Sequence, residues 1–139
     1  MLDTSPLGKL AHPRPHAEIA QWFDSLVLRG FPVIIPEIAD YEVRREFLAA
    51  RLGFSISRLD VLKTQLIYQP ITTTTMLTAA RFWAEARRAG RPTADPKALD
   101  GDVILAAQAI EAGAIVATEN VGHISRYVTA RHWRDITPP

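Results

Sequence analysis

The sequence predicts an α/β fold in which a parallel β-sheet is covered by helices on both faces. Short β-branched runs, such as Phe31–Ile35, alternate along the chain with longer segments whose apolar residues recur at helical spacing. Strands that alternate with helices in this way favour parallel pairing and right-handed crossover connections. Because the 139 residues contain no repeat and no low-complexity linker, we expect a single domain that spans residues 1–139.

The composition is typical of a soluble globular protein, with 47% hydrophobic and 22% charged residues. A net charge of +1 provides no strong overall attraction to nucleic acid. The absence of cysteine excludes disulfides, thiolate nucleophiles and thiolate metal sites, and it fits a reducing compartment. Because no apolar run approaches ~18 residues and the N-terminus lacks a signal-peptide pattern, we predict a cytoplasmic protein.

Up to residue 53, the sequence predicts two strands and two helices. A strand stub at the N-terminus ends at Asp3, and the prolines and glycine of residues 6–15 indicate a loop or short turn. Apolar residues at helical spacing predict a helix from His16 to Arg29. The β-branched strand follows, and Pro36 stands where a helix that continues to residue 53 can begin.

The rest of the chain continues the alternation of helix and strand. Ser57 is suited to cap one helix, and a run of threonines from Thr72 is typical of the start of another. After a proline-containing loop, a helix rich in small residues begins near Asp100 and ends at Gly113. The strands predicted in this half are Ile67–Ile71, Ala114–Thr118 and a short one around Arg134–Ile136.

Acidic side chains are expected to meet at one edge of this sheet. Asp3 directly follows the first strand, and Asp100 and Asp102 open the helix before a buried strand. Helix N-termini and the C-terminal ends of parallel strands face the same crevice in open α/β sheets. Acids that converge there without paired bases commonly hold a metal, and carboxylate ligands favour Mg²⁺ or Mn²⁺. The sequence therefore contains half of a candidate metal site.

Each acid also has a purely structural interpretation. Asp3 can be a turn-forming residue, and Asp100 a helix N-cap with Asp102 favoured by the helix dipole. Glu42 flanks the apolar stripe of its helix, and taken alone such a residue is more often a surface acid or a partner for Arg45 than a metal ligand. These interpretations leave one fact unexplained, because two carboxylates as close in sequence as residues 100 and 102 repel each other unless a cation or a base offsets them.

Other candidate chemistries are weaker. Glu119 and Asn120 follow the strand that ends at Thr118, where turn residues are common, and a lone His123 is weak evidence for a metal ligand. The sequence lacks a glycine-rich phosphate loop, a Gly-x-Ser-x-Gly elbow and a His-Glu-x-x-His motif. Nucleophilic catalysis therefore has no good candidate.

Four segments, in order, resemble the motifs of PIN domains. They are Asp3-Thr4-Ser5 after the first strand, the helical Glu42, the run Asp-Val-Ile-Leu-Ala-Ala from Asp102, and Thr118-Glu119-Asn120. PIN domains are small metal-dependent ribonucleases that include the VapC-type toxins of bacterial toxin–antitoxin pairs. The resemblance covers nearly the whole chain, and residues 34–45 and 99–107 also resemble an uncharacterised bacterial subgroup. It implies a three-layer α/β/α fold with a central parallel sheet of four to five strands.

The resemblance also implies a site and a function. Asp3, Glu42 and Asp102 correspond to the core acids that hold one or two Mg²⁺ or Mn²⁺ ions, and Asp100 is an additional acid close by. Asn120 stands where the family has a fourth acid or an asparagine, and it is assigned to the catalytic set as the group that orients a water. We therefore expect an endoribonuclease that hydrolyses RNA phosphodiester bonds with the help of the metal.

The expected activity also implies partners, and the sequence leaves open one alternative to it. Arg44, Arg45 and Lys97 are predicted to contact the RNA backbone, although a solvated helix face explains the two arginines nearly as well. A homodimer and an antitoxin protein are expected partners. Ser5 replaces an asparagine that is usual in the first motif, and with Asn120 it favours the alternative of a PIN-like module that binds RNA or protein without cleavage.

Overall fold

Seven α-helices, four short strands and one 3₁₀ helix make up the part of the chain that the computed structural model describes, which is residues 1–92, 95 and 100–138. The helices are α1 (Thr4–Ala11), α2 (Ala17–Leu28), α3 (Glu37–Ala49), α4 (Gly53–Gln65), α5 (Thr73–Arg88), α6 (Gly101–Ala112) and α7 (Val121–Ile124). The strands are β1 (Ile34–Pro36), β2 (Ile67–Gln69), β3 (Val116–Thr118) and β4 (Ala130–His132), and the 3₁₀ helix is Trp133–Asp135.

The strands form two parallel pairs, β1 with β2 and β3 with β4. The N-terminal residues lie between the pairs, because the Leu2 N–H donates to the Ile34 carbonyl at 2.9 Å and Leu2 bridges to Ala117. This segment is too short to form a strand, since α1 begins at Thr4. The predicted single sheet of four to five strands is therefore not confirmed, although all the pairings are parallel as predicted.

Two apolar clusters lie on opposite faces of the strands. Ile35 and Ala117 belong to the cluster that α1, α2 and α4 cover, whereas Ile34 and Val116 belong to the cluster that α5 and α6 cover. Successive residues of a strand point to opposite faces, so each of the strands β1 and β3 contributes one side chain to each cluster. The strands are thus enclosed between two helical layers, as expected for a three-layer arrangement.

Residues 4–11 form a helix where a loop was predicted. Asp3 caps it, and its Oδ1 accepts the N–H of Thr4 at 2.6 Å. Pro6 is the third residue of the helix, where a missing N–H breaks no intrahelical hydrogen bond. The prolines were read as breakers throughout 6–15, but only those after residue 12 lie outside the helix.

Several predicted boundaries are confirmed and others move. The helices from residue 16, from Pro36 and from Asp100 are present, and Thr72 caps α5 in a reciprocal pair with Thr75. α4 begins at Gly53 rather than after Ser57, whose hydroxyl donates back to the Gly53 carbonyl at 3.1 Å. The last strand is β4, a few residues before the predicted 134–136, which instead lies largely in the 3₁₀ helix.

Within the described residues, none of the helices is both long and apolar enough to cross a bilayer.

Candidate active site

Asp3 is held at the C-terminal end of the strands. Its N–H donates to the Ala117 carbonyl at 3.0 Å, which places the residue beside β3. Its carboxylate accepts two hydrogen bonds, from the Thr4 N–H to Oδ1 and from the Thr118 hydroxyl to Oδ2, each at 2.6 Å. Asp3 therefore stands at the predicted edge of the strands, although the residues before it do not form the predicted first strand.

Glu42 reaches the same place from α3. Its Oε2 accepts the hydroxyl hydrogen of Thr4, the neighbour of Asp3. Its carboxylate also lies against the backbone of Gly101, since a Cβ added to that glycine would be 2.2 Å from Oε1. Gly101 is the first residue of α6 and stands between Asp100 and Asp102. Glu42 therefore faces the N-terminus of α6, beside the two aspartates.

Asp100 acts as the N-cap of α6, as one of the two interpretations predicted. Its Oδ1 accepts the N–H of Asp102 at 3.2 Å and that of Val103 at 3.4 Å, and the residue is buried. The cap explains its position without excluding a second role, because its negative charge still acts on the residues around it.

The charges of the three nearby acids affect the pKa of Asp102. Burial raises its pKa first, and the charges of Asp100, Asp3 and Glu42 raise it further. His123, whose Nδ1 is 3.5 Å from Asp102 Oδ2, opposes this shift in pKa. The side chain is 34% exposed, so it remains open to solvent. The structure thus brings the four predicted metal ligands into one electrostatic neighbourhood, which we call the acid cluster: Asp3, Glu42, Asp100 and Asp102.

The acid cluster contains the carboxylate ligands of a cation site, but as described these side chains are not arranged to hold a metal ion. In the part of the chain described, no Lys or Arg forms an ion pair with Asp3, Glu42 or Asp102. Over the same residues, no three His, Asp or Glu side chains are arranged so that they could hold a metal ion. The donor set is all oxygen and mutually repulsive, which fits Mg²⁺ or Mn²⁺.

Glu119 lies outside the acid cluster. It accepts hydrogen bonds from Ser5 at 2.6 Å, from the Trp133 indole at 3.1 Å and from Lys9, with which it forms an ion pair. Chiefly the bond from Lys9, and then that from Ser5, lowers the pKa of Glu119 to about 2. Ser5, the departure noted in the first motif, thus ties α1 to the end of β3.

Asn120 is linked to Asp3 through one intermediate residue. Its N–H donates to the Thr118 hydroxyl at 2.8 Å, and that hydroxyl donates to Asp3. The exposed Asn120 side chain makes no capping hydrogen bond to α7. Thr4 and Thr118 were not predicted as site residues. The sequence signal for them is their position, because Thr4 is next to Asp3 and Thr118 is two residues before Asn120.

Arg44 and Arg45, two of the three predicted RNA-contacting residues, differ in their surroundings. The Arg44 guanidinium is held by Asp40 and Asp60, at 2.9 and 2.8 Å. Arg45 is exposed, with its guanidinium 5.3 Å from the centre of the Tyr41 ring. Lys97 lies outside the residues that the structure describes. Asp40 is buried, and its carboxylate contacts Arg44, Lys63 and Tyr68.

Comparison with known proteins identifies the fold. No protein-family profile and no curated protein sequence matches the chain. Among solved structures, it is similar to a chain of VapBC2 from Rickettsia felis bound to a DNA fragment from their promoter. The identity is 16% over 94% of this chain and 96% of that one, with a TM-score of 0.76.

Two further solved structures are also similar to the chain over nearly its whole length. DNA-bound VapBC from Salmonella typhimurium is 24% identical over 96% of both chains, and FitAcB from Neisseria gonorrhoeae is 23% identical over 97% of this chain and 98% of that one. The TM-score is 0.64 in both cases. The chain matches the VapC component of such complexes, so it has the PIN-domain fold.

Proposed function

We propose that the protein is a divalent-metal-dependent endoribonuclease that hydrolyses RNA phosphodiester bonds. The observation that carries the proposal is the acid cluster, in which carboxylates from the N-terminal segment, α3 and α6 raise the pKa of Asp102 together with its burial. Such a concentration of like charge is unfavourable unless a cation or a base offsets it, and a bound metal ion would do so. The shared fold with VapBC structures supports the same function.

The cofactor is Mg²⁺ or Mn²⁺, held by Asp3, Glu42 and Asp102 with Asp100 in support. When bound, the ion lowers the pKa of a water molecule and offsets the charge that develops on the phosphate. The Asp102 side chain is partly exposed to solvent and its pKa is raised. A bound cation would therefore stabilise the charged form of its carboxylate. Asp100 contributes mainly charge, because one of its oxygens already caps α6.

Thr4 and Thr118 are positioning residues. Each donates its hydroxyl hydrogen to one oxygen of a cluster acid, Thr4 to Glu42 and Thr118 to Asp3. These bonds fix the orientation of both carboxylates, as groups outside the ligand sphere commonly do in metal sites. The backbone N–H of Asn120 donates to the Thr118 hydroxyl, and its exposed side-chain amide would orient the attacking water.

The proposal extends to partners. The solved structures compared above are VapBC and FitAcB complexes, which favours an antitoxin partner and hence a toxin role in the cytoplasm. We also propose a homodimer. Arg45 and Lys97 are proposed contacts to the RNA backbone, and Arg44 would have to leave Asp60 to join them.

A PIN-like module that binds RNA or protein without cleavage is the second candidate. Two observations favour it. As described, the acids are not arranged to hold a metal ion, and the carboxylates of Asp3 and Glu42 already accept hydrogen bonds from threonines. In addition, position 120, where the resemblance to PIN domains allows either a fourth acid or an asparagine, is an asparagine.

A cleavage assay separates the two candidates. The full chain is incubated with end-labelled single-stranded RNA and Mn²⁺, with and without EDTA, beside the variant Asp3→Asn. We expect internal cleavage that is lost in EDTA and in the variant, whose fold is checked by circular dichroism. Cleavage that survives either change contradicts the metal-nuclease proposal, whereas RNA binding without cleavage supports the module.

A further inference from the structure

A groove with a cavity volume of about 450 Å³ runs beside α1. One wall is α1, another is the segment that joins α1 to α2, and the floor is α3. We call it the α1 groove. The residues that define it here are Thr4, Lys9, His12, Arg14, His16 and Phe47.

The inner end of the α1 groove is linked to the acid cluster by Thr4, although none of the four cluster acids lines the groove. Thr4 lines the groove and donates its hydroxyl hydrogen to Glu42. α1 has eight residues, so about 12 Å of helix separates this end from the outer end near His12. A linear ligand lying in the groove would therefore have one end beside the Thr4–Glu42 contact, at the edge of the cluster.

The floor of the groove is apolar and partly aromatic. Val43 is buried, and Phe47 is half-buried, so part of its ring is exposed to the groove. An exposed aromatic face in a groove is a surface on which an unpaired nucleic-acid base can stack. Bases within a duplex are already stacked on their neighbours, so this floor favours a single strand.

The outer rim carries basic side chains. Arg14, His12 and His16 are exposed there, and in the described part of the chain the Arg14 guanidinium forms no ion pair. The Arg14 backbone holds the His12 ring in place, since the ring Nδ1 lies 3.1 Å from the Arg14 amide nitrogen and 3.0 Å from the Arg14 carbonyl oxygen. The acid on the rim, Glu46, is 3.8 Å from Arg45.

We infer that the α1 groove binds a single strand of RNA and guides it into the acid cluster. Phosphates contact Arg14, His12 and His16, and a base stacks on Phe47. The rim supplies positive charge for the backbone and the floor supplies stacking, which is the combination used by sequence-tolerant single-strand sites. This inference rests on the proposed function, because the strand is the substrate of the acid cluster.

The test is a binding measurement that does not depend on cleavage. Fluorescein-labelled single-stranded RNA is titrated with the full chain in EDTA at several salt concentrations. Variants Arg14→Gln and His16→Gln remove rim contacts. Arg131→Gln is the matched control, because Arg131 is also exposed but lines a cavity with Met1 and Ile115, at the opposite edge of the strands.

We expect Arg14→Gln to weaken binding several-fold and to reduce the slope of log affinity against log salt by about 0.7, the value for one lost single-strand phosphate contact. The control should behave as the wild type. Ultraviolet crosslinks from uridine should fall within residues 4–16 or 43–47, and duplex RNA should compete poorly.

Each opposite result overturns the inference. These results are no binding by the wild type, an unchanged salt slope in Arg14→Gln, crosslinks elsewhere, or equal competition by duplex RNA. The proposed function is judged separately by Mn²⁺-dependent cleavage. If the wild type cleaves and the groove variants bind and cleave like it, the groove assignment fails alone. If RNA binds in the groove and is not cleaved, the nuclease proposal fails alone.

Discussion

The Glu42 carboxylate lies against the Cα of Gly101, so closely that a methyl group on the glycine would be 2.2 Å from Oε1. This contact joins α3 to the first residue of α6 and sets Glu42 beside Asp102. Only a residue without a side chain allows it. Gly53, the first residue of α4, provides a matched comparison, because nothing lies within 4 Å of its missing Cβ.

Gly101→Ala should therefore damage the site without damaging the fold. The added methyl group forces the flexible Glu42 carboxylate away, and we expect Mn²⁺-dependent cleavage to fall roughly 10- to 100-fold, as for the loss of supporting groups in metal sites. Thermal stability should stay level or rise, because alanine favours helix more than glycine does. The control Gly53→Ala should retain activity, and equal activity in both variants would refute the role of the contact.

Asp102 should reduce stability at neutral pH in metal-free buffer. Its pKa is raised in the folded protein, first by burial and then by the other acids, so the folded state binds more protons than the unfolded state above pH 3.8. Stability is therefore lost as the pH rises through the folded pKa. Asp102→Asn should raise the melting temperature at pH 7 in EDTA. In the separate assay with Mn²⁺, the same variant should show no cleavage.

The pH dependence gives this prediction its control. The gain from Asp102→Asn should shrink as the pH falls and be lost below pH 3.8, where wild-type Asp102 becomes protonated in both states. A variant that is less stable than the wild type at pH 7 would mean that the acids are already compensated in the absence of metal.

Glu119 should behave in the opposite way. Its pKa is lowered from 4.5 to about 2, chiefly by the hydrogen bond from Lys9. Its stabilising contribution is therefore present above pH 4.5 and lost as the pH falls toward 2. Glu119→Gln should cost about 1 kcal/mol of unfolding free energy at pH 7, since the pair with Lys9 is partly exposed to solvent. Chemical denaturation at pH 7 and pH 3 measures this, and an equal cost at both would contradict the assignment.

Arg51 occupies a backbone conformation that suits glycine. Its φ is 56°, and it follows α3 in a turn closed by the bond from the Leu52 N–H to the Phe47 carbonyl at 2.9 Å. α2, α5 and α6 end in turns of the same kind with Gly30, Gly90 and Gly113. Arg51→Gly should stabilise the protein by about 1 kcal/mol, because the left-handed conformation is costly for other residues. Arg51→Ala keeps its Cβ and should bring no such gain.

Local signals in the sequence predicted much of this fold. The helix from Pro36, the threonine cap of α5 and the Asp100 cap of α6 all depend on residues within one or two turns of each other. The first helix was missed because its prolines were read as breakers, although Pro6 lies in the first turn. The extent of the sheet could not be predicted either, since it depends on how many hydrogen bonds Leu2 makes to distant strands.

In the candidate site, too, local signals in the sequence predict some features and not others. Asp3 and Asp102 could be placed at the crevice because strand ends and helix starts meet there. The contact of Glu42 with Gly101 and the capture of Arg44 by Asp60 join residues from different helices, and no spacing within one helix reveals them. Helical periodicity likewise could not show that Asp40 is buried, because its partner Lys63 comes from α4.

Direct measurement of Mn²⁺ binding tests the central claim that the acid cluster is a metal site. The full chain is titrated with Mn²⁺ without RNA, and free Mn²⁺ is followed by electron paramagnetic resonance, beside Asp102→Asn and the control Glu119→Gln. We predict saturable binding of one or two ions by the wild type and by Glu119→Gln, and at least tenfold weaker binding by Asp102→Asn. Wild-type protein that binds no Mn²⁺, or a variant Asp102→Asn that binds it equally well, would contradict the claim.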